Sequence, residues 1–166
     1  VRRQPDDVEA LDLLANVEIE LGRNAEARRR LEAVVERAPL NAISLNNLAW
    51  LMATGGEAAA LPRARNLAER GYYLMPSAQT ADTLGWVLTL AGEPARAVPL
   101  LRDAATATRA SQQPDRGILY RFAFALRAAG DRAEALTQVE AALEGGAAFP
   151  ERQDAERLLA ELRAGR

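Results

Sequence analysis

The feature that most constrains this chain is a pattern of small residues and glycines that occurs four times. In each copy a small residue lies on an apolar helical stripe, a glycine follows six or seven residues later, and a second small residue comes after the glycine. The small residues before the glycine are Ala15, Ala49, Gly85 and Ala123, and those after it are Ala27, Ala64, Ala97 and Ala135. Glycine commonly ends a helix because it adopts the left-handed conformation freely, and small side chains let two helices approach closely. The pattern therefore predicts four pairs of helices, each pair folded back on itself.

Capping residues and prolines set the predicted ends of these helices. The first helix of each pair (helix A) starts near residues 8, 42, 78 and 116, after the capping residues Asp7, Asn41, Ser77 and Asp115. The second helix (helix B) ends before Pro39, Pro76 and Pro114, because proline cannot continue a helix. A last helix from Pro150 to about Ala164 carries one apolar stripe, made of Ala155, Leu158, Leu159 and Leu162. A helix with one apolar stripe and charged flanks is typical of the end of a stack.

The helix pairs are spaced by 34, 36 and 38 residues, and a helix–turn–helix unit of this length resembles the tetratricopeptide repeat (TPR). The resemblance implies an all-α, right-handed α-solenoid of four helix pairs with a C-terminal capping helix. We expect one domain over residues 1–166, with repeats at about 8–41, 42–77, 78–115 and 116–149 and the capping helix at 150–164. Residues 1–7 are expected to be the end of a preceding repeat. Repeat 2 departs from the pattern in its longer inner loop, and Gly71 replaces the usual alanine of its helix B.

Three segments extend the resemblance beyond the repeat itself. They are residues 46–51 (NNLAWL), residues 82–87 (DTLGWV) and residues 149–159 (FPERQDAERLL). Together they are similar to the C-terminal part of long bacterial TPR proteins, including lipoproteins of the PEP-CTERM/exosortase exopolysaccharide system. This similarity implies a role in exopolysaccharide or envelope assembly, and it favours the cell envelope or periplasm over the cytoplasm.

Composition argues against several classes of function. A net charge of −2 gives no basic surface for nucleic acid, and no apolar run approaches the ~20 residues of a membrane-spanning helix. The chain has no histidine and no cysteine, so the commonest general base and the commonest metal ligands are missing. Asp12 and Glu20, or Asp82, are candidates for a catalytic carboxylate pair, but acidic residues are ordinary on exposed helix faces. We therefore predict a protein that is not an enzyme and takes no metal or cofactor.

The candidate binding site follows from the resemblance, because in TPR proteins the A helices line a concave groove. The position after the small A-helix residue holds Asn16, Trp50, Trp86 and Phe124, and the neighbouring groove positions include Asn47, Asp82, Tyr120 and Arg121. Flat aromatic side chains that are flanked by amides and charges suit a peptide segment or a helix of a partner protein. The alternative is that the indoles pack between neighbouring A helices and only fill the wall of the groove. The basic run at residues 28–30 is interpreted as a solvated convex face.

Two functions remain open at this point. The first is a scaffold that binds a protein partner in the groove. The second is self-association, or spacing within a longer repeat protein, which includes a homodimer through the open N-terminal end.

Overall fold

The computed structural model describes residues 8–165, and these residues form helices and connecting turns without any β-strand. The nine α-helices of this region are α1 (Val8–Glu20), α2 (Asn24–Arg37), α3 (Ala42–Thr54), α4 (Leu61–Leu74), α5 (Ala78–Leu90), α6 (Pro94–Arg109), α7 (Arg116–Ala129), α8 (Arg132–Leu143) and α9 (Arg152–Arg163). Every predicted helix is present, with ends within two residues of the predicted ones. The predicted end of a preceding repeat, at residues 1–7, lies outside the described residues.

The chain divides after Pro76 into two compact units. In the first unit α1 packs against α2, α3 against α4, and α2 against α3. In the second unit α5 packs against α6, α7 against α8, α6 against α7, and α8 against α9. The helix pairs are the predicted ones.

The predicted capping residues make the expected hydrogen bonds at three helix starts. The side chain of Asn41 accepts from the backbone N–H of Ser44, and Ser77 and Thr80 form a reciprocal capping box. The Asp115 carboxylate accepts from two N–H groups in the first turn of α7. Each bond satisfies a donor that the helix itself leaves unpaired, so the sequence fixes where these helices begin. The longer loop of repeat 2 contains a short 3-10 helix, Ala58–Ala60.

Small residues allow the close packing of the helix pairs. The alanines at the small positions are completely buried, namely Ala15, Ala27, Ala49, Ala64, Ala97, Ala123 and Ala135. At Gly85 the approach is closest, since a Cβ atom added there would lie 2.6 Å from Cγ of Leu101 in α6. The sequence suggested Ala97 as the residue opposite Gly85, whereas the atom in closest contact belongs to Leu101, one helical turn later. At Gly71 an added Cβ would lie 3.3 Å from the carbonyl oxygen of Ala42, which explains the missing alanine in α4.

Helix α9 covers the end of the second unit as predicted. Ala155, Leu158 and Leu162 are buried, and Leu159 is half-buried. Arg163 pairs with Glu140 of α8 at 2.9 Å, on the exposed edge of this contact. Over residues 8–165, no helix has the length and apolar character needed to span a membrane.

Candidate functional site

In the second unit three of the predicted aromatic side chains form one cluster. Trp86 lies on α5, and Tyr120 and Phe124 lie one turn apart on α7. The ring centroids of Trp86 and Phe124 are 5.5 Å apart, and Tyr120 is 6.2 Å from each of them. The rings meet edge to face or tilted, which is the favoured arrangement of aromatic pairs. Tyr120 is buried, whereas Trp86 and Phe124 keep part of their rings exposed.

Charged groups surround this aromatic cluster. The guanidinium carbon of Arg127 lies 5.0 Å from the centroid of the Phe124 ring, and its Nη1 donates to Glu161 at 3.0 Å. Nε of Arg127 is buried and has no hydrogen-bond partner in the described part of the chain. Burial raises the pKa of Tyr120 to about 12, and the nearby carboxylates of Asp154 and Glu151 add to the rise. The phenol is therefore neutral throughout the physiological range.

Asp82 and Arg121 face each other in a buried ion pair. Nε and Nη2 of Arg121 donate to the two carboxylate oxygens of Asp82 at 2.8 and 2.7 Å, and Nη1 donates to Glu151 at 2.5 Å. Arg121 is 5% exposed and Asp82 is 6% exposed. Burial raises the pKa of Asp82 above its usual value, while the charge and hydrogen bonds of Arg121 oppose the rise. Both charges are engaged within the protein, and they join α5, α7 and the start of α9.

A glycine makes room for this ion pair. A Cβ atom at Gly117 would lie 2.8 Å from Nη1 of Arg121 and 3.0 Å from Oε2 of Glu151. The same first turn of α7 is capped by Asp115, whose carboxylate also adds negative charge close to Arg121. A glycine within a helix costs stability, so its presence here is explained by the space that the guanidinium occupies.

In the first unit the corresponding positions hold linked amides. Nδ2 of Asn47 donates to Oδ1 of Asn16 at 2.9 Å, and Nδ2 of Asn46 donates to Oδ1 of Asn47 at 3.3 Å. The Ser44 hydroxyl donates to the carboxylate of Asp12 on the neighbouring helix α1. Asn16 and Asn47 are half-buried, and so is Trp50, one turn after Asn47 on α3. This surface offers amide groups, one indole ring and the carboxylate of Asp12, which occupies the repeat position of Asp82 but is bonded to Ser44.

The structure brings most of the predicted site residues together in three groups. It joins Trp86, Tyr120 and Phe124 in one cluster, Asp82 and Arg121 in one ion pair, and Asn16 and Asn47 in one hydrogen bond. Asp12 and Glu20 do not form a carboxylate pair, since Asp12 is bonded to Ser44 and Glu20 is exposed. Over residues 8–165 no group of three or more acidic residues is placed to hold a metal ion.

Glu151, Gly117 and Arg127 belong to the site and were missed by the sequence analysis. The sequence contains a signal for two of them, Glu151 and Gly117. Arg121 occupies the repeat position that holds Asn47 and Thr83 in two other repeats. An arginine at a position that is otherwise neutral indicates carboxylate partners nearby. Gly117 is a glycine inside a helix, which indicates a close approach by another group.

Comparisons with known proteins bear on the fold. No protein-family model and no curated protein matches the chain. A solved structure of a MamA mutant is similar at 23% identity, covering 95% of this chain and 87% of that chain with a TM-score of 0.72. TTC0263, a thermophilic TPR protein of Thermus thermophilus, is similar at 23% identity, covering 98% and 84% with a TM-score of 0.68. YrrB, a TPR protein with an unusual peptide-binding site, is similar at 20% identity, covering 96% and 78% with a TM-score of 0.68.

These similarities agree with the helix pairs, the buried small residues and the spacing of the repeats. At such identities they carry information on the fold and not on the ligand. The chain has the tetratricopeptide-repeat fold.

Proposed function

We propose that the chain is a non-enzymatic scaffold that binds a peptide segment or a helix of a partner protein along its A helices. The observation that carries the proposal is the partial exposure of Trp50, Trp86 and Phe124, which occupy one and the same A-helix position in successive repeats. An aromatic ring that is only partly covered offers apolar area at little cost in side-chain entropy. A partly exposed aromatic ring of this kind is a typical anchor for a protein partner.

The neighbouring polar groups suit a peptide backbone. The amides of Asn16 and Asn47 each carry a donor and an acceptor, as a peptide bond does. The hydrogen bond between Asn16 and Asn47 is half-exposed. A ligand can therefore break it and form equivalent hydrogen bonds with the same two amides at small net cost. YrrB, a TPR protein of similar fold with an unusual peptide-binding site, is an example of binding to this kind of ligand.

Asp82, Arg121 and Tyr120 have a supporting role in this proposal. The charges of Asp82 and Arg121 are paired with each other, and all three residues are buried. They hold α5 and α7 in register, so that the exposed edges of Trp86 and Phe124 keep a fixed position. Preorganised side chains lower the entropy that a ligand must lose on binding.

The test measures stability and affinity together in the variants Trp50→Ala and Trp86→Ala. The probe is a peptide selected for binding to the wild-type protein from a random library. If the rings bind, each variant weakens the peptide by ~2 kcal/mol or more, as at interface hot spots. If the rings only fill the wall, the variants lose about 3–5 kcal/mol of stability, as buried aromatics do, while the folded fraction binds normally.

Tyr73→Ala serves as the matched control. This ring is 84% exposed and lies on a B helix, α4, outside the candidate site. Its removal is expected to change neither stability nor affinity. Unchanged peptide affinity in both tryptophan variants, with the control also unchanged, would remove the A-helix surface as the binding site.

A second candidate function is self-association through the N-terminal end or a spacer role in a longer repeat protein. The apolar residues exposed on and just after α1 favour it, namely Leu13, Leu14, Val17 and Leu21. A homodimer formed in this way would show a molecular mass that doubles as protein concentration rises. Static light scattering over a wide concentration range measures this directly.

The cellular setting proposed is exopolysaccharide or envelope assembly in a bacterium, with the chain in the cell envelope or periplasm. The support is the similarity of residues 46–51, 82–87 and 149–159 to long bacterial TPR proteins of that system. Fractionation of cells that produce the complete polypeptide tests the location. Recovery in the cytoplasmic fraction alone would contradict it.

A further inference from the structure

An open groove lies beside helix α4, on a B helix rather than on the A helices. It has a volume of about 320 Å³. Six residues line it, namely Leu40, Asn66, Glu69, Arg70, Tyr73 and Leu74. Leu40 belongs to the loop between α2 and α3, and the other five belong to α4. Tyr73 is 84% exposed, Leu40 74% and Leu74 39%, so three large apolar side chains meet in one groove that is open to water.

The other repeats show that these positions of helix B face water throughout. Tyr73 lies nine residues after Ala64, the small residue of its B helix. The corresponding residues of the other repeats are all exposed, namely Glu36, Thr106 and Glu144. Those that correspond to Leu74 are exposed as well, namely Arg37, Ala107 and Gly145. Exposure here is thus a property of every repeat and does not depend on which helices precede or follow. Large apolar residues grouped at such positions indicate an interaction surface.

Arg70 gives the groove a positive charge. Its Nη2 donates to the backbone carbonyl of Pro39 at 2.6 Å, and this acceptor carries no charge. Within the described part of the chain Arg70 forms no ion pair. The acidic residue of the groove, Glu69, lies instead 3.0 Å from Nε of Arg65 on the same helix. An arginine beside an apolar groove therefore favours a ligand that brings a carboxylate.

The size of the groove suits a short segment rather than a folded partner. A stable interface between folded proteins takes about 20–30 residues from each side, whereas six residues line this groove. A second copy of this chain, held by this contact alone, would bury too little surface. The exposed amide of Asn66 can donate to and accept from the backbone of an extended peptide.

We propose that the groove formed by Leu40, Asn66, Arg70, Tyr73 and Leu74 binds a short linear segment of a partner protein in which bulky apolar side chains adjoin an aspartate or glutamate. The apolar side chains pack against Tyr73 and Leu40, and the carboxylate pairs with Arg70. This site is additional to the proposed A-helix surface and uses none of its residues.

The probe is a library of random dodecapeptides displayed on phage. It is first depleted on the double variant Leu40→Ser, Tyr73→Ser, which removes peptides that bind elsewhere on the protein, and is then selected on the wild-type chain. Both side chains are largely exposed, so the double variant should keep the fold, and circular dichroism checks this. The enriched peptides should carry aromatic or aliphatic residues beside aspartate or glutamate. A selection that yields no peptide dependent on these two residues, or yields basic peptides, overturns the proposal.

Fluorescence anisotropy with an enriched peptide tests each contact. Tyr73→Ser should weaken the peptide by about tenfold or more, as expected for the centre of an interface. Arg70→Glu should weaken it by a similar factor, and a peptide whose acidic residue is changed to lysine should regain affinity for Arg70→Glu, because opposite charges again face each other. Failure to regain affinity would overturn the pairing with Arg70.

Arg29→Glu is the matched control for the charge reversal. The side chain of Arg29 is 74% exposed, and it lies on α2 outside the groove. This variant makes the same change in net charge as Arg70→Glu and should leave the affinity unchanged. Equal weakening by Arg29→Glu would show a general effect of charge and overturn the assignment to Arg70.

Trp50→Ala separates this site from the proposed A-helix surface. A peptide bound beside α4 keeps its affinity in Trp50→Ala and loses it in Tyr73→Ser, and a peptide bound on the A helices shows the reverse. Either site can therefore fail without the other. A mass of the wild-type chain that doubles with concentration, and that returns to the monomer value in Tyr73→Ser, would assign the groove to a second copy and overturn the proposal of a linear segment.

Discussion

The A helices of the two units carry different chemistry at the same repeat positions. Before Pro76 these positions hold Leu13 and Asn47 where the second unit has Arg121, so Asp12 bonds to Ser44 instead, and the amides of Asn16 and Asn47 form a half-exposed hydrogen bond beside Trp50. After Ser77 they hold a buried ion pair between Asp82 and Arg121 and a cluster of three aromatic rings. One fold thus supports two surfaces, one in which side-chain amides are hydrogen-bonded to each other and one made of an ion pair and aromatic rings.

The two surfaces should therefore respond differently to a ligand. A hydrogen bond between neutral amides contributes about 0.5–1.5 kcal/mol net, so a ligand can break it and form equivalent bonds. A buried ion pair cannot be opened in this way, because a separated charge in the protein interior costs several kcal/mol. We infer that the amide surface adapts to the backbone of a ligand, whereas the aromatic surface is a fixed platform.

The largest expected effect is a difference in the free energy of unfolding between variants of the two surfaces. Arg121→Ala leaves the buried carboxylate of Asp82 without its partner and should lower the free energy of unfolding by about 3–5 kcal/mol. Asn47→Ala removes a neutral, half-exposed hydrogen bond and should cost about 1 kcal/mol. Chemical denaturation of both variants measures the contrast. Similar losses in the two variants would mean that the ion pair does not hold the second unit together.

A smaller effect concerns the helix contact beneath the aromatic cluster. Gly85→Leu adds a side chain where even a Cβ atom would lie 2.6 Å from Leu101, and overpacking should cost about 1–3 kcal/mol or more. Leu101→Ala on the same background should recover part of the loss, because it empties the space that the new side chain needs. A thermal melt of Gly85→Leu that matches wild type would refute the packing described for α5 and α6.

Most of the fold was predictable from the sequence because its signals are local. Asn41, Ser77 and Asp115 act within their own helix turns, and the small residues at Ala49 and Gly85 recur at the repeat period. Such features fix helix ends and contacts between neighbours without reference to distant residues. For this reason the predicted helix boundaries agree with the structure to within two residues.

The site was less predictable because its contacts join distant residues. The partners of Arg121, which are Asp82 and Glu151, lie 39 and 30 residues away in the sequence. Repeat alignment places Asp82 and Arg121 at groove positions, but it does not say that they face each other rather than a ligand. Only the register between α5, α7 and α9 decides this, and that register depends on side-chain packing across the repeats.

A further effect sharpens the description of the aromatic surface as one platform. A double-mutant cycle of Trp86→Leu and Phe124→Leu should give a coupling energy of about 0.5–1.5 kcal/mol, since the two rings meet edge to face. The control cycle pairs Trp86→Leu with Leu40→Ala, which should show no coupling because Leu40 is 74% exposed and lies outside the cluster. A coupling energy near zero for Trp86 and Phe124 would mean that the two rings contribute to stability independently of each other.

The last effect is absent at neutral pH, appears only at alkaline pH, and tests the burial of Tyr120 within that platform. The pKa of Tyr120 is raised from 10.0 to about 12, chiefly because burial disfavours the charged phenolate. A group whose pKa is higher in the folded state stabilises the fold below its unfolded pKa and loses this contribution as pH rises. Between pH 10 and about 12, wild type should therefore lose stability more steeply than Tyr120→Phe, which has no phenol to ionise. The difference in phenolate absorbance between the two proteins reports the ionisation of Tyr120 directly, and a midpoint near 10 would show that the ring is solvated and the cluster open.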